Sequence, residues 1–290
     1  MKIINTYALL ALLLSSLMVA CNTKEKQNLP APATNQSEKI EGYVIVLKDK
    51  LSRRLSGQNT EKIAQEVIKD YTTKSPKVTV LSDQGKLAFS ADISSEELQK
   101  INQDDRVEFV EYFKGTKAKF LDFLFNPVQT ADFVDLDRYV GKWYELASFP
   151  QDFSTDCECT TANYSPGALR GIVKVFNQCN STEGSGQARG TAFVMNPGAN
   201  SRLLLTLQEP LVPVPGLYWI LEVREASSDK PYTFAVVSNP FRSSLFILSR
   251  KPTLETDEEK AIYQDILNKL KKQKFDLDKL QVTNQENCNL

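Results

Sequence analysis

The chain contains no histidine. That absence excludes Ser–His and Cys–His catalysis and imidazole metal sites, and with them much hydrolase and zinc chemistry. Neither charge is in surplus: 35 basic residues stand against 36 acidic ones, so no broad field for nucleic acid is expected. Apart from one stretch near the N-terminus there is no apolar run approaching the ~18 residues of a membrane span. What is present is a chain of 290 residues, 41% of them hydrophobic, long and apolar enough for two domains plus tails. It also has five cysteines, an odd number that asks what the extra thiol does in an exported protein.

The N-terminal stretch supplies one answer. Residues 8–20 are apolar apart from Ser15 and Ser16, and Lys2 precedes them. As a helix they would span about 20 Å, short of a ~30 Å hydrocarbon core. With small Ala20 at its end, the segment 1–20 reads as a signal peptide. Residues 17–21, ending in Cys21, resemble the lipobox of bacterial lipoproteins, with Met18 where leucine is usual. The resemblance implies acylation of Cys21, a membrane anchor and an outer-membrane location; without acylation the protein would be secreted. Removing Cys21 leaves an even set of four cysteines. Residues 21–40 are polar and read as a disordered tether.

Residues 41–114 read as a small α+β unit. A β-branched strand at 43–47 is followed by a helix carrying Ile63, Val67, Ile68 and Tyr71 on one face. Alternation at 77–81 leads through a turn at 82–85 to a strand at 86–91. Ser94 and Glu97 form a capping box for a short helix, and 107–112 is the last strand. The order βαββαβ is that of a ferredoxin-like fold. Residues 43–48, 87–91, 93–98 and 106–111 resemble the propeptide-type (I9) inhibitor of subtilisin-like proteases. That resemblance implies a protease partner, with the tail at 112–117 in its cleft, although here the tail runs on into more chain; a protein-binding adaptor or spacer is the alternative. Residues 115–134 read as a linker. Phe120, Phe123, Leu124 and Phe125 make it apolar, for a helix on a domain face or for contact with a membrane surface.

From 135 to 290 the pattern changes. Short alternating strands recur at about 142–149, 158–165, 171–179, 187–195, 202–208, 217–224, 232–238 and 244–250, which argues for a sandwich or a barrel, and eight is the number at which a closed barrel can hold one small ligand. Thr256 and Glu259 form a second capping box, and Ile262, Ile266, Leu267 and Leu270 give the following helix one apolar face toward the barrel. Residues 139–147 then resemble the lipocalin signature G-x-W, through Gly141 and Trp143. Residues 245–250 resemble that family's last-strand motif, ending in Arg250. Residues 162–164, 175–177, 218–221, 232–237 and 282–288 resemble the apolipoprotein D and bacterial lipocalin branch. The resemblance implies an eight-stranded barrel with a C-terminal helix, Trp143 plugging its closed end under Arg250 in a cation–π contact, and a cavity lined by Tyr164, Asn177, Tyr218, Phe246 and Leu248. It implies a ligand that is a fatty acid, lysophospholipid or similar small hydrophobic molecule, with no cofactor.

Export favours disulfides over a metal site for the remaining cysteines. A turn centred on residue 168 would set Cys157 opposite Cys179; a slip of one residue would exchange Cys157 and Cys159. The family resemblance implies Cys159–Cys288 as the second bridge. Asp152, Asp156 and Glu158 read as a solvated loop, residues 184–186 as a turn, and Asn180 as a glycan acceptor if the protein is eukaryotic. The leading expectation is an exported carrier, not an enzyme. A protease inhibitor or adaptor acting through residues 41–114 is the alternative, and a lipocalin-type enzyme is the third class.

Overall fold

A computed structural model describes residues 38–55, 58–72, 76–83, 85–151, 157–181, 184–207, 216–286 and 288. Cys21, the leader and the tether lie outside these residues.

The N-terminal unit follows from its sequence periods. Strand β1 (Lys39–Leu47) is joined through α1 (Asp49–Leu55) and α2 (Thr60–Lys69) to β2 (Val78–Ser82), β3 (Ala88–Ala91), α3 (Ser95–Ile101) and β4 (Val107–Thr116). The four strands form one sheet in the order β2-β3-β1-β4, and every pairing is antiparallel. Ile63, Ala64, Val67 and Ile68 turn one face of α2 onto the sheet residues Ile45, Leu47 and Phe89. Ser94 and Glu97 close the expected capping box on α3. Helix α1 was not expected from the sequence, because its buried residue is Ser52, which leaves no apolar period to read. The Ser52 hydroxyl accepts the Leu87 N–H at 3.1 Å and donates to the Leu47 carbonyl at 3.3 Å, tying α1 to two strands.

The segment expected as a linker continues β4 to Thr116 and then forms α4 (Lys117–Phe125), capped by the Thr116 hydroxyl. Phe120 and Leu124 are buried and Phe123 is partly buried, while Phe125 stays exposed. The apolar linker residues are therefore largely consumed by protein packing, which leaves little for a membrane surface.

After the turn α5 (Leu136–Tyr139) come β5 (Gly141–Ser148), β6 (Glu158–Pro166), β7 (Ile172–Ser181) and β8 (Gly184–Val194). Then follow β9 (Arg202–Leu207), β10 (Gly216–Glu225), β11 (Tyr232–Ser238) and β12 (Leu245–Ser249). Each strand pairs antiparallel with the next, and β12 pairs with β5 to close the eight-stranded barrel. Residues 184–186, read as a turn, belong to β8: Gly186 stands opposite Cys179, where a Cβ would come 3.1 Å from the Cys179 sulfur.

Helix α6 (Asp257–Lys272) opens on the Thr256–Glu259 capping box and buries Ile266 and Leu270. Its apolar face shares one cluster with the outward residues Trp219, Leu221 and Phe234 of the barrel and with Val44, Phe109 and Phe113 of the N-terminal sheet. The N-terminal sheet thus has helices on one face and the barrel wall on the other. Phe113 is the hub of this junction, with ring centroids 5.0 Å from Phe241 and 5.4 Å from Phe120.

Truncating a buried aromatic costs about 3–5 kcal/mol. Phe113→Ala should lower stability by about that much, and calorimetry should show one unfolding transition shifting as a whole. A separate early transition of the N-terminal sheet would contradict the shared core.

Candidate functional site

One end of the barrel is closed by side chains. Trp143 on β5 is fully buried, and its indole N–H donates to the Tyr139 carbonyl at 2.8 Å. The Arg250 guanidinium lies 3.7 Å from the centre of the Trp143 ring. It donates to the carbonyls of Arg138, Tyr139, Val140, Lys142 and Tyr232 at 2.8–3.1 Å. Four of these carbonyls bracket the start of β5 and the fifth opens β11, and a planar fork of five N–H donors suits them. Gly141 is required here. Its φ is +105°, and a Cβ would meet the Arg250 guanidinium at 3.1 Å.

Above this floor stand three tyrosines. The Tyr218 hydroxyl is 2.6 Å from that of Tyr139 and 3.0 Å from that of Tyr164. The Tyr139 and Tyr164 rings stack with centroids 5.5 Å apart. Burial pushes all three hydroxyls up, Tyr164 to about 12. They are neutral groups that satisfy one another, so the layer they form above the Arg250 guanidinium carries no charge.

The barrel holds a partly open cavity of about 400 Å³ that runs from Tyr164 and Tyr218 toward the other end, where β9 finishes at Leu207 and β10 begins at Gly216. Tyr164, Asn177, Tyr218, Phe246 and Leu248 all line it, together with Ala162, Ala188 and Leu205. Two carboxyls that sequence reading did not single out also line it, Glu111 and Glu145. Glu145 sits two residues after Trp143 on β5, so strand parity alone could have found it. Burial pushes its carboxyl up, against the hydroxyls of Thr283 at 2.6 Å and Ser148 at 2.9 Å that donate to it. Glu158 is exposed and takes no part in the cavity. Asp152 and Asp156 lie outside the described residues.

The cysteines sit where the cavity meets the barrel rim. Cys157 is bonded to Cys179 and Cys159 to Cys288, with Cα atoms 5.4 and 5.5 Å apart. The β6–β7 ladder does not follow the register of a turn centred on residue 168. It pairs Pro166 with Val173 and Thr161 with Gln178, then shifts by a bulge to pair Glu158 with Asn180. Cys159 lies in that bulge with φ +54°. Residues two apart on a regular strand share a face. A bulge re-aims side chains, and here Cys157 and Cys179 line the cavity while Cys159 meets the C-terminal segment.

That segment is a strap. Strand β13 (Gln281–Val282) pairs with β5 at Ser148 and Ala147, on the stretch of β5 beyond its ladder with β6. The Asn284 carbonyl accepts the Cys159 N–H, and Gln285 donates to the carbonyls of Glu145 and Thr160.

A closed eight-stranded barrel with one plugged end and a mainly apolar cavity is an architecture able to hold one small ligand. Residues 134–285 match the family model for a lipocalin-like domain. Temperature-induced lipocalin-1 of Arabidopsis thaliana is 32% identical over 158 residues, covering 52% of this chain and 80% of that protein. Outer membrane lipoprotein Blc of Escherichia coli K12 is 32% identical over 148 residues, covering 50% and 76%. Mouse apolipoprotein D is 31% identical over 156 residues, covering 53% and 78%. The chain belongs to the lipocalin family.

Two measurements probe this architecture. The 129-residue separation of Cys159 and Cys288 gives a loop-closure contribution of up to about 5 kcal/mol, against about 3 for the shorter Cys157–Cys179 loop. Denaturant titrations should therefore show Cys288→Ser destabilising more than Cys179→Ser. In an alkaline absorbance titration Tyr164 should ionise only near pH 12, later than the exposed tyrosines; ionisation near pH 10 in the folded protein would contradict the buried triad.

Proposed function

We propose that the protein is an exported lipocalin whose barrel binds one small hydrophobic or amphiphilic molecule. The observation that carries this reading is the barrel cavity of about 400 Å³ with Tyr164, Asn177, Tyr218, Phe246 and Leu248 on its wall. Its volume lies in the range of small-molecule sites, and its lining is mainly apolar with a few polar groups, the composition such sites use. Phe246, Leu248 and the tyrosine rings supply area, and Asn177 orients one polar group of the ligand. Gly141, Trp143 and Arg250 serve the scaffold. The relatives named outer membrane lipoprotein and apolipoprotein D support export, and the 17–21 pattern supports anchoring through Cys21 in the cell envelope.

Two other readings draw less support. The tail expected to occupy a protease cleft, residues 112–117, pairs with β1 from Tyr43↔Tyr112 to Lys39↔Thr116. Phe113 in its middle is buried. The strand order of residues 39–116 supports a ferredoxin-like reading with α1 added, but its sheet faces are already covered. For catalysis, the cysteine thiols a lipocalin isomerase would draw on are held in disulfides.

Affinity should come from burial, at about 0.8 kcal/mol per methylene. Displacement of a fluorescent amphiphile from the full chain should therefore tighten about four-fold per added methylene until the cavity is full. Ala188→Trp, which puts an indole into the cavity, should weaken binding at least about ten-fold while the fold is kept. Chain-length-independent affinity, or no effect of the tryptophan, would refute binding in the barrel.

A further inference from the structure

On β4 the residues Phe109, Glu111 and Phe113 alternate on the face turned toward the barrel. Phe109 packs edge-on against Trp219 at 5.8 Å, and Phe113 against Phe241 at 5.0 Å. A carboxylate between two such phenylalanines is out of pattern, since an unpaired charge in an apolar contact is strongly unfavourable. Glu111 does not remain in the contact. Its carboxyl accepts the Leu217 N–H at 2.9 Å and lines the barrel cavity. It does so at the beginning of β10, where Gly216, Leu217 and Tyr218 pair only with β9, and the ladder to β11 starts at Trp219. The N-terminal sheet therefore reaches the ligand space through a gap in the barrel wall.

The chemistry of the lining points one way. Its ionisable groups other than tyrosine are the carboxyls of Glu111 and Glu145, and no lysine or arginine lines the cavity among the described residues. The Asn177 Oδ1 and Thr160 Oγ1 atoms, on lining residues, are buried without a hydrogen-bond partner. An orphan acceptor and two carboxyls ask the ligand for donors. A ligand carboxylate would find no countercharge there.

We propose that Glu111 makes the N-terminal sheet part of the ligand site, as a specificity-determining residue, and that the cavity takes an amphiphile with a protonated amine at its polar end. The inference rests on the barrel being a ligand cup. Burial pushes the Glu111 carboxyl up to about 8, with the Leu217 and Tyr112 N–H groups opposing the shift. The titratable groups around it are Tyr43 on β1, Tyr112 on its own strand and Glu145 in the same cavity; none is a cation. At neutral pH the empty site therefore holds Glu111 mostly protonated. An ammonium group favours the ionised form, so its binding releases a proton and tightens as pH rises through about 8. A fatty acid would behave oppositely.

The test is calorimetric titration of the full chain with dodecylamine, dodecanol and lauric acid between about pH 6 and about pH 8.5. Dodecylamine should bind at least about ten-fold more tightly than lauric acid at neutral pH, and the gap should widen with pH. Glu111→Gln keeps an acceptor for the Leu217 N–H; it should remove both the preference and its pH dependence, with dodecanol affinity changing by less than dodecylamine affinity. Equal or tighter binding of lauric acid, or an unchanged preference in Glu111→Gln, overturns the proposal and leaves the cup intact. Failure of all three probes, dodecanol included, overturns the cup and the proposal with it.

Discussion

The structure depends on how one end of the barrel is shut. Eight strands of alternating residues make a tube with two open ends, and a tube holds nothing. Arg250 closes one end by stacking on Trp143 and by donating to five carbonyls, four around the start of β5 and one at the start of β11. The guanidinium is suited to this task because it stays charged, is planar and has no acceptor to satisfy. Gly141 admits it, and the neutral tyrosine triad separates it from the ligand space. The result is a cavity that meets an uncharged tyrosine layer at its closed end, with the Arg250 guanidinium behind it. Polarity in the cavity is then left to a few lining groups above the floor.

The outer surface of the same barrel is used a second time. Trp219, Leu221 and Phe234 point away from the cavity and would be exposed on a bare barrel. Here they share one apolar cluster with α6 and the N-terminal sheet. Strand period makes this economical, since residues one apart on β10 serve two cores, Tyr218 inside and Trp219 outside. Fusion of the α+β unit is thus a packing solution as well as an addition. It brings Glu111 to the start of β10, which pairs with β9 but not yet with β11.

Much of this was legible in the sequence because it rests on period and pairing of motifs. The eight barrel strands fall within a few residues of their alternation, and both capping boxes form at Ser94 and Thr256. The features that were not legible come from local exceptions. Helix α1 buries a serine, so it has no apolar stripe. The β6–β7 register turns on the bulge at Cys159, whose positive φ no residue-type rule predicts. Glu145 carried a signal in strand parity, two residues from the buried Trp143 on β5. Glu111 carried a signal too, its parity with Phe109 and Phe113, but which face of β4 meets another domain is a fact of tertiary structure.

The central claim is that one apolar cavity in the barrel takes one ligand. Calorimetric titration of the full chain with a lysophospholipid at several temperatures tests it most directly. The account predicts one site per chain and a clearly negative heat-capacity change, the mark of apolar burial. Unsaturable binding, or a heat-capacity change near zero, would contradict it.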